Sequence, residues 1–386
     1  MECRRTERMK ALKPLTICLA CAGAAIWQVK AGDGSTASGH VAFTPQGGGQ
    51  FPAMVYGTAG IKDADTILSA LKAGYRHIDT ALLYGSHAAV REALNRSKLS
   101  REDVFLTTKV SFLPGGLSAP WRWLLDNVAD YGSGTSALLG KGSEREALQR
   151  SLRELGIAQA DLCLIHLPFA SGMSEFLAAY LPHRLGRHKP LAWSWLRPLA
   201  GPLRRLMRLA VEAVGADHVA AADARRAAWQ QLEAAWVAGE CRHIGVSNYD
   251  AGLLRELEAT AHVMPAVNQL EMHPRFQARE TMTYCQDRGI AVMAYGNSVS
   301  MRHEVATAIA SQRGLQAAQV TLHWTLQQGV AAVATSSRRE GMAQNLAALD
   351  FALTAGEMKA LDALDERQPF FWDASARAMP PQEGVP

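Results

Sequence analysis

Short apolar or β-branched runs alternate with helical segments along the chain from about residue 51 onward. The apolar runs have the length of strands, and the segments between them repeat their apolar positions with the period of a helix. This alternation is typical of βα units, in which helical crossovers join parallel strands. The pattern predicts eight strands, with carboxyl ends near Gly57, Asp79, Lys109, His166, Ser247, Gln269, Tyr295 and Ala334.

The segments that alternate with these strands predict eight helices. They cover residues 63–73, 87–94, 143–155, 223–238, 251–261, 279–288, 305–313 and 317–328. Parallel strands joined in this way either close into a barrel or form an open, doubly wound sheet. Eight units favour the α/β class and a (β/α)8 TIM barrel. We also expect an N-terminal β-hairpin and long loop insertions after the third and fourth barrel strands.

The first 35 residues differ in composition from the barrel region. Residues 1–13 carry five basic and two acidic side chains, and residues 14–29 carry no charge. This apolar run is shorter than the roughly 20 residues of a spanning helix. It resembles a signal sequence, although an organellar transit peptide or a leader upstream of a start at Met9 has the same pattern. We interpret residues 1–35 as a leader or targeting segment.

The remaining chain divides into a barrel domain at 36–366, with an insertion at about 170–222, and a C-terminal tail at 367–386. The insertion has no acidic residue between Glu175 and Glu212 and includes seven basic ones, Arg184, Arg187, Lys189, Arg197, Arg204, Arg205 and Arg208. Leucines at helical spacing predict an amphipathic helix with a basic face. A solvated surface insertion is the first interpretation. A substrate lid, or contact with a membrane surface or an anionic partner, is the alternative.

Composition narrows the class of protein. The 386 residues are 48% apolar and 20% charged, with a net charge of +4. This balance supports a large buried core, and it argues against both disorder and a nucleic-acid partner. This leaves a soluble globular protein, an enzyme or a binding module, and the sequence does not indicate an oligomeric state.

Cysteine usage bears on the compartment. A chain processed after its leader keeps Cys163, Cys241 and Cys285, a scattered trio with neither a disulfide framework nor zinc spacing. Three unpaired thiols favour the cytoplasm or an organelle interior, with the leader removed. The signal-like N-terminus favours the alternative, a secreted or periplasmic protein.

Polar residues close several of the predicted strands. Asp79, Lys109 and His166 each lie at a strand end, Ser247 and Asn248 follow another, and Gln269 and Glu271 follow a fifth. The carboxyl ends of the strands form the rim of a barrel on which active sites lie. We therefore expect these side chains to form one catalytic site.

Six motifs carry a resemblance to a known family. They are GYRHIDTALLYG, FLTTKV, DLCLIHLP, GECRHIGVSNY, PAVNQLEMHP and NLAALDFALT. In order and spacing, the chain from about residue 50 to residue 365 resembles the aldo-keto reductase family. The resemblance implies a (β/α)8 barrel that binds extended NADPH and reduces aldehydes or ketones without a metal. A small-molecule partner is implied by the family resemblance and not by the composition.

The resemblance also implies four catalytic residues. Tyr84 is the general acid, Lys109 lowers the energetic cost of its phenolate, Asp79 holds the Lys109 ammonium, and His166 donates to the carbonyl oxygen. Physical chemistry supports these roles, since a phenol with an ordinary pKa of about 10 needs a nearby cation to deliver a proton at neutral pH.

The positions that match the family's cofactor contacts are Thr58, Asp79, Ser247, Asn248, Gln269, Tyr295, Gly296, Ser298, Ser300, Thr335, Ser336, Gln344 and Asn345. Many relatives have Lys at the position of Thr335 and Arg at that of Gly341, where those cations bind the 2′-phosphate of NADPH. Arg338 and Arg339 are close enough in sequence to replace them. We therefore expect NADPH, with NADH as the alternative cofactor.

Two activities are compatible with these residues. The first is NAD(P)H-dependent reduction of an aldehyde or ketone to an alcohol. The alternative is a redox-sensing regulatory subunit that binds the cofactor and has little turnover, with the basic insertion as its docking surface. Measurement of steady-state carbonyl reduction distinguishes the two.

Overall fold

The computed structural model describes residues 42–43, 51–110, 144–168 and 218–371. The leader, most of the basic insertion and the last part of the C-terminal tail lie outside these residues. The predictions made for them, including the amphipathic helix and both loop insertions, therefore remain predictions.

Two short strands precede the barrel. Strand β1 (Ala42–Phe43) pairs with β2 (Phe51–Pro52) in antiparallel register. This pair corresponds to the predicted N-terminal hairpin, and it is separate from the main sheet.

Eight parallel strands close into a barrel. They are β3 (Met54–Gly57), β4 (His77–Asp79), β5 (Phe105–Val110), β6 (Ala160–Ile165), β7 (Cys241–Ser247), β8 (Val267–Glu271), β9 (Ala291–Tyr295) and β10 (Ala331–Ala334). Each strand pairs with the next along the chain, and β10 returns to pair with β3 through Ala332 and Met54. The predicted (β/α)8 fold is confirmed, and all eight strands end within two residues of their predicted ends.

The helices of the described residues form the outer layer. They are α1 (Ala64–Ala73), α2 (His87–Ser97), α3 (Glu144–Leu155), α4 (His218–Val237), α5 (Ala251–Glu258), α6 (Arg279–Asp287), α7 (Glu304–Arg313), α8 (Ala317–Gln327), α9 (Arg339–Leu346) and α10 (Ala355–Asp362). The first eight correspond to the predicted helices. Helices α9 and α10 were not among the sequence predictions.

Helix α1 shows how local sequence sets the boundaries of an element. The Asp63 carboxylate accepts hydrogen bonds from backbone N–H groups of the first turn, which have no partners within the helix. Gly74 ends the helix in the left-handed conformation, which glycine adopts without steric cost. Ile67 and Leu71 lie one turn apart on the buried face. This helix therefore has a capped start, an apolar stripe and a glycine stop.

A disulfide joins two neighbouring barrel strands, which corrects the expectation of three unpaired cysteines. Cys163 of β6 and Cys241 of β7 are bonded, with their Cα atoms 6.0 Å apart. Both are buried in the apolar layer that also contains Leu152 of α3 and Trp229 of α4. The two cysteines are 78 residues apart in the sequence, so their spacing does not predict the disulfide. They come close because β6 and β7 are neighbours in the barrel. Cys285 is the free cysteine of the described residues, and it is buried.

No helix within the described residues is both long and apolar enough to cross a membrane.

Candidate active site

The four predicted catalytic side chains meet at the carboxyl end of the barrel. The Lys109 ammonium, at the end of β5, donates to Asp79 Oδ2 at 2.5 Å and to the Tyr84 hydroxyl at 3.2 Å. Tyr84 lies in a one-turn 3-10 helix just after β4, and its hydroxyl lies 3.4 Å from Nε2 of His166. The structure thus brings together all four residues: Asp79 and Lys109 lie on β4 and β5, Tyr84 lies in the turn after β4, and His166 directly follows β6.

Lys109 and Asp79 form a buried ion pair. Burial lowers the pKa of Lys109, but the charges of Asp79 and Tyr84 and their hydrogen bonds raise it more, so the net shift is upward. Gln269 donates from Nε2 to the second Asp79 oxygen at 2.8 Å, which leaves both carboxylate oxygens bonded. Lys109 is therefore held as a cation beside the phenol, the arrangement that makes a phenolate less costly.

His166 is held in its neutral form. Burial, and then the nearby Lys109 charge, lower the pKa of His166 well below its usual value. Its buried Nδ1 has no hydrogen-bond partner among the described residues, whereas its Nε2 faces Tyr84. A buried N–H without an acceptor is more costly than an unused lone pair, so we assign the proton to Nε2. The ring can then donate a hydrogen bond at the catalytic rim.

Three buried hydroxyls support the turn that carries Tyr84. The hydroxyl of Ser86 shares hydrogen bonds with Thr58 at 2.9 Å and with Thr80 at 2.8 Å. Thr58 also donates to the backbone oxygen of Asp79 at 2.9 Å. Thr58 was predicted from the sequence as a cofactor contact, and this hydroxyl cluster was not predicted. The signal available in the sequence was the presence of a threonine directly after each of two predicted strands.

Four of the predicted cofactor residues continue the network around the rim. Asn248 has a left-handed backbone (φ 63°), and its Nδ2 donates to the backbone oxygen of His166 at 2.9 Å. The Tyr295 hydroxyl donates to Asn248 Oδ1 at 2.5 Å. Ser247 donates to the backbone oxygen of Gln269 at 2.8 Å. These side chains therefore share one hydrogen-bonded arrangement with the catalytic residues.

A second group of predicted cofactor residues follows β10. Thr335 is exposed, and its hydroxyl donates to the backbone oxygen of Gly57 at 2.9 Å. Ser336 and Arg338 form a tight turn, in which the Ser336 hydroxyl accepts from the Arg338 N–H at 3.2 Å. Gln344 is exposed and Asn345 is buried, both on α9.

The third group lies just after β9. Gly296 adopts a left-handed backbone and Ser298 is exposed. Ser300 is fully buried, and its hydroxyl lies 3.2 Å from Nδ1 of His273. The cofactor roles predicted for all three groups, and for Thr58 and Asp79, remain predictions. Sequence analysis did not identify the partner of Ser300.

No cluster of three or more His, Cys, Asp or Glu side chains that could hold a metal ion occurs in the part of the chain that the structure describes.

Comparison with known proteins assigns the chain to one family. The model of the Aldo/keto reductase family matches residues 53–298 and 301–366. The chain belongs to the aldo-keto reductase family, whose members are oxidoreductases that act on carbonyls and use NADP(H).

Individual relatives cover most of the chain. A D-galacturonate reductase of Fragaria ananassa is 29% identical over 82% of this chain and 88% of its own length. An NADPH-dependent codeinone reductase of Papaver somniferum is 30% identical, with 84% of this chain and 89% of its own length covered. An aldo-keto reductase of Bombyx mori, solved in complex with NADP, superposes with a TM-score of 0.61 at 24% identity. That match covers 88% of this chain and 98% of the Bombyx chain, and at this identity it shows the fold.

Proposed function

We propose that this protein reduces an aldehyde or ketone to an alcohol with NADPH, and that Tyr84 donates the proton. The observation that carries the proposal is the position of the Tyr84 hydroxyl, 3.2 Å from the Lys109 ammonium and 3.4 Å from His166 Nε2. A hydroxyl placed between a buried cation and a neutral imidazole is suited to proton donation to a carbonyl oxygen.

The chemistry of the neighbouring side chains fits a nicotinamide cofactor. The hydroxyl of Ser247 and the carboxamides of Asn248 and Gln269 would hold the nicotinamide amide, since such groups both donate and accept hydrogen bonds. The Tyr295 ring, fixed through its hydroxyl to Asn248, would lie against the nicotinamide ring. Bound there, NADPH supplies a hydride.

Each catalytic side chain then has a defined task. His166 donates from Nε2 to the carbonyl oxygen and so orients the substrate. Tyr84 donates its proton to the same oxygen as negative charge develops there. Lys109 stabilises the phenolate that remains, and Asp79 keeps the ammonium in place through its 2.5 Å hydrogen bond. The proton moves over one short distance within a largely buried site.

The preference for NADPH rests on two exposed arginines. Arg338 and Arg339 follow β10 and begin α9, and both side chains are exposed. Guanidinium groups bind phosphate well, so they would supply the charge for the 2′-phosphate that Thr335 and Gly341 do not. Parallel titrations with NADPH and NADH measure this preference.

The test is Tyr84→Phe, with oxidation of NADPH followed at 340 nm in the presence of a panel of aldehydes and ketones. Because the hydroxyl acts in the transition state, kcat should fall by about 100-fold or more. The affinity for NADPH should stay within a few-fold of wild type. Tyr284→Phe is the matched control, because its hydroxyl bonds to Glu258 instead, and it should retain wild-type kcat.

Two outcomes contradict the proposal. Retention of more than about a tenth of wild-type kcat by Tyr84→Phe rules out the assigned role of the phenol. Tight binding of NADPH by a wild-type protein that reduces no carbonyl in the panel favours the cofactor-binding regulatory subunit instead.

A further inference from the structure

Glu271 ends β8 and is almost completely buried. Among the described residues, its carboxylate makes no hydrogen bond to the four predicted catalytic side chains. It accepts three N–H groups within the described residues. The backbone N–H of Phe370 donates to Oε1 and that of Phe371 to Oε2, both at 2.8 Å. The third donor is Nε2 of His273, at 3.0 Å. One buried carboxylate thus binds two consecutive backbone groups that lie about 100 residues further along the chain.

His273 fixes the orientation of this carboxylate. Its Nε2 faces the Glu271 carboxylate and therefore donates to it, and its Nδ1 lies 3.2 Å from the Ser300 hydroxyl. All three side chains are buried. The chain from Ser300 through His273 to Glu271 therefore gives the carboxylate one defined position.

The bound segment carries two aromatic rings in different directions. Phe371 lies against Tyr295, with ring centroids 5.9 Å apart in an edge-on arrangement. Phe370 lies instead beside His273 and beneath the Arg275 guanidinium, which is 4.4 Å from its ring. A Cβ at Gly296 would lie 3.1 Å from the Phe371 ring, so the glycine leaves room for this ring.

Tyr295 is consequently held at two points, by Asn248 at its hydroxyl and by Phe371 at its ring. We propose that Glu271 is a positioning residue for the cofactor: it holds the backbone of Phe370 and Phe371 and thereby fixes the Tyr295 ring against which the nicotinamide lies. This inference rests on the proposed function, because it takes Tyr295 as the cofactor-facing ring.

A carboxylate is required because the two backbone donors approach different oxygens. Glutamine at this position keeps one acceptor oxygen and places an NH2 group opposite the second donor. Glu271→Gln therefore conserves side-chain volume but removes one hydrogen bond. It also places the glutamine NH2 group opposite a backbone N–H, so that two donors face each other. We call the two hydrogen bonds from the backbone of residues 370–371 to Glu271 the latch. In Glu271→Gln the latch should break and residues 370–371 should detach from β8.

The first experiment measures the latch directly. Hydrogen exchange of peptides that cover residues 366–371 is followed by mass spectrometry in wild type, Glu271→Gln and Glu280→Gln. Glu280 is the matched control because it is an exposed glutamate that pairs with Arg255. We expect loss of protection in this segment for Glu271→Gln and wild-type protection for Glu280→Gln.

The second experiment measures the effect on the cofactor by NADPH fluorescence titration. Glu271→Gln and Phe371→Ala should raise the Kd for NADPH about three- to tenfold, the range expected for loss of one aromatic contact. Steady-state assays give kcat and the KM for NADPH separately, and the KM for NADPH should rise together with the Kd in both variants. Phe370→Ala is the matched control, since this ring does not contact Tyr295, and its Kd should match wild type. Phe371→Ala lies on a peripheral segment, so it tests the proposal even if Glu271→Gln folds poorly.

The outcomes separate this inference from the proposed function. If wild type reduces carbonyls but Phe371→Ala leaves the Kd for NADPH unchanged, the positioning role is wrong and the catalytic proposal stands. If the Kd and exchange effects appear in a protein that reduces no carbonyl, the positioning role stands and the catalytic proposal fails. The inference would also be wrong if Phe370→Ala and Phe371→Ala raised the Kd for NADPH by the same factor.

Discussion

At the scale of single residues, the buried pair of Lys109 and Asp79 should matter for both stability and catalysis. Lys109→Met removes the cation and leaves the Asp79 carboxylate buried without a charge partner. Breaking such a pair costs about 3 to 5 kcal/mol, so the free energy of unfolding and kcat should both fall. Urea denaturation and steady-state assays measure them. Lys359→Met, at an exposed position of α10, is the control. Unchanged stability of Lys109→Met would contradict the ion pair.

A second residue should govern stability below neutral pH. His77 is fully buried, and burial lowers its pKa from 6.5 to about 3. Below pH 6.5 the unfolded chain takes up a proton at this residue and the native protein does not, so stability falls as the pH falls toward 3. Between pH 7.5 and 5.5 this amounts to about 1.4 kcal/mol.

Urea denaturation at these two pH values tests the role of His77. His77→Gln should lose about 1.4 kcal/mol less than wild type between them. His262→Gln, at a position whose side chain is 81% exposed, should retain the wild-type difference. A wild-type difference in His77→Gln would show that this ring does not couple to folding.

The sequence pointed to the four proposed catalytic residues because each lies at or near a strand end and within a recognisable motif. Tyr84, Lys109, Asp79 and His166 met both conditions. Ser86 was missed, because its role depends on two threonines from different strands and nothing local marks a buried hydroxyl cluster. The latch at Glu271 was missed because its donors are backbone groups, which no sequence pattern reveals.

At the scale of elements, Gly245 permits close contact between β7 and β8. A Cβ at this position would lie 2.4 Å from the backbone oxygen of Val267. Gly245→Ala must therefore separate the two strands, and we expect destabilisation of about 1 to 3 kcal/mol or more in thermal or urea unfolding. Gly252→Ala, in helix α5, meets only the Asp250 side chain at 3.2 Å. It should be neutral or stabilising, because alanine favours a helix. Equal stability of the two variants would contradict the strand contact.

The periodicity of apolar residues predicted the strands and eight of the helices. It did not predict helices α9 and α10. Helix α9 was interpreted only as a cofactor segment, and few of its positions are buried. Leu361 is the one buried residue of helix α10, so this helix has no continuous apolar face that the sequence could reveal. Its capping box, formed by Thr354 and Glu357, was the available signal.

At the scale of the whole molecule, the disulfide between Cys163 and Cys241 should contribute to stability. It closes a loop with a sequence separation of 78 residues, for which loop entropy predicts about 4 kcal/mol. The double variant Cys163→Ala/Cys241→Ala should lose that amount in urea denaturation under oxidising conditions. Cys285→Ala is the control, because Cys285 is unbonded. A double variant as stable as wild type would show that the bond contributes nothing.

The disulfide also changes the argument about compartment. Three unpaired thiols would favour a reducing interior, but two of the three cysteines are joined to each other and only Cys285 is free within the described residues. The need for reduced nicotinamide still favours the cytoplasm or an organelle interior, and this location remains our proposal. Intact-mass analysis of protein from its native source, alkylated without reductant, tests it. Recovery from the medium or periplasm with cleavage near residues 20–35 would overturn it.

The bond between β6 and β7 has a consequence for how the polypeptide responds to proteases. A single cut at any peptide bond between residues 163 and 241 divides the backbone, but the two fragments stay covalently linked through the cysteines. At cut sites after residue 166, His166 and Asn248 then lie on different fragments, although the Asn248 side chain binds the His166 backbone. In denaturing gel electrophoresis, such a nicked protein would migrate as one species without reductant and as two species with reductant.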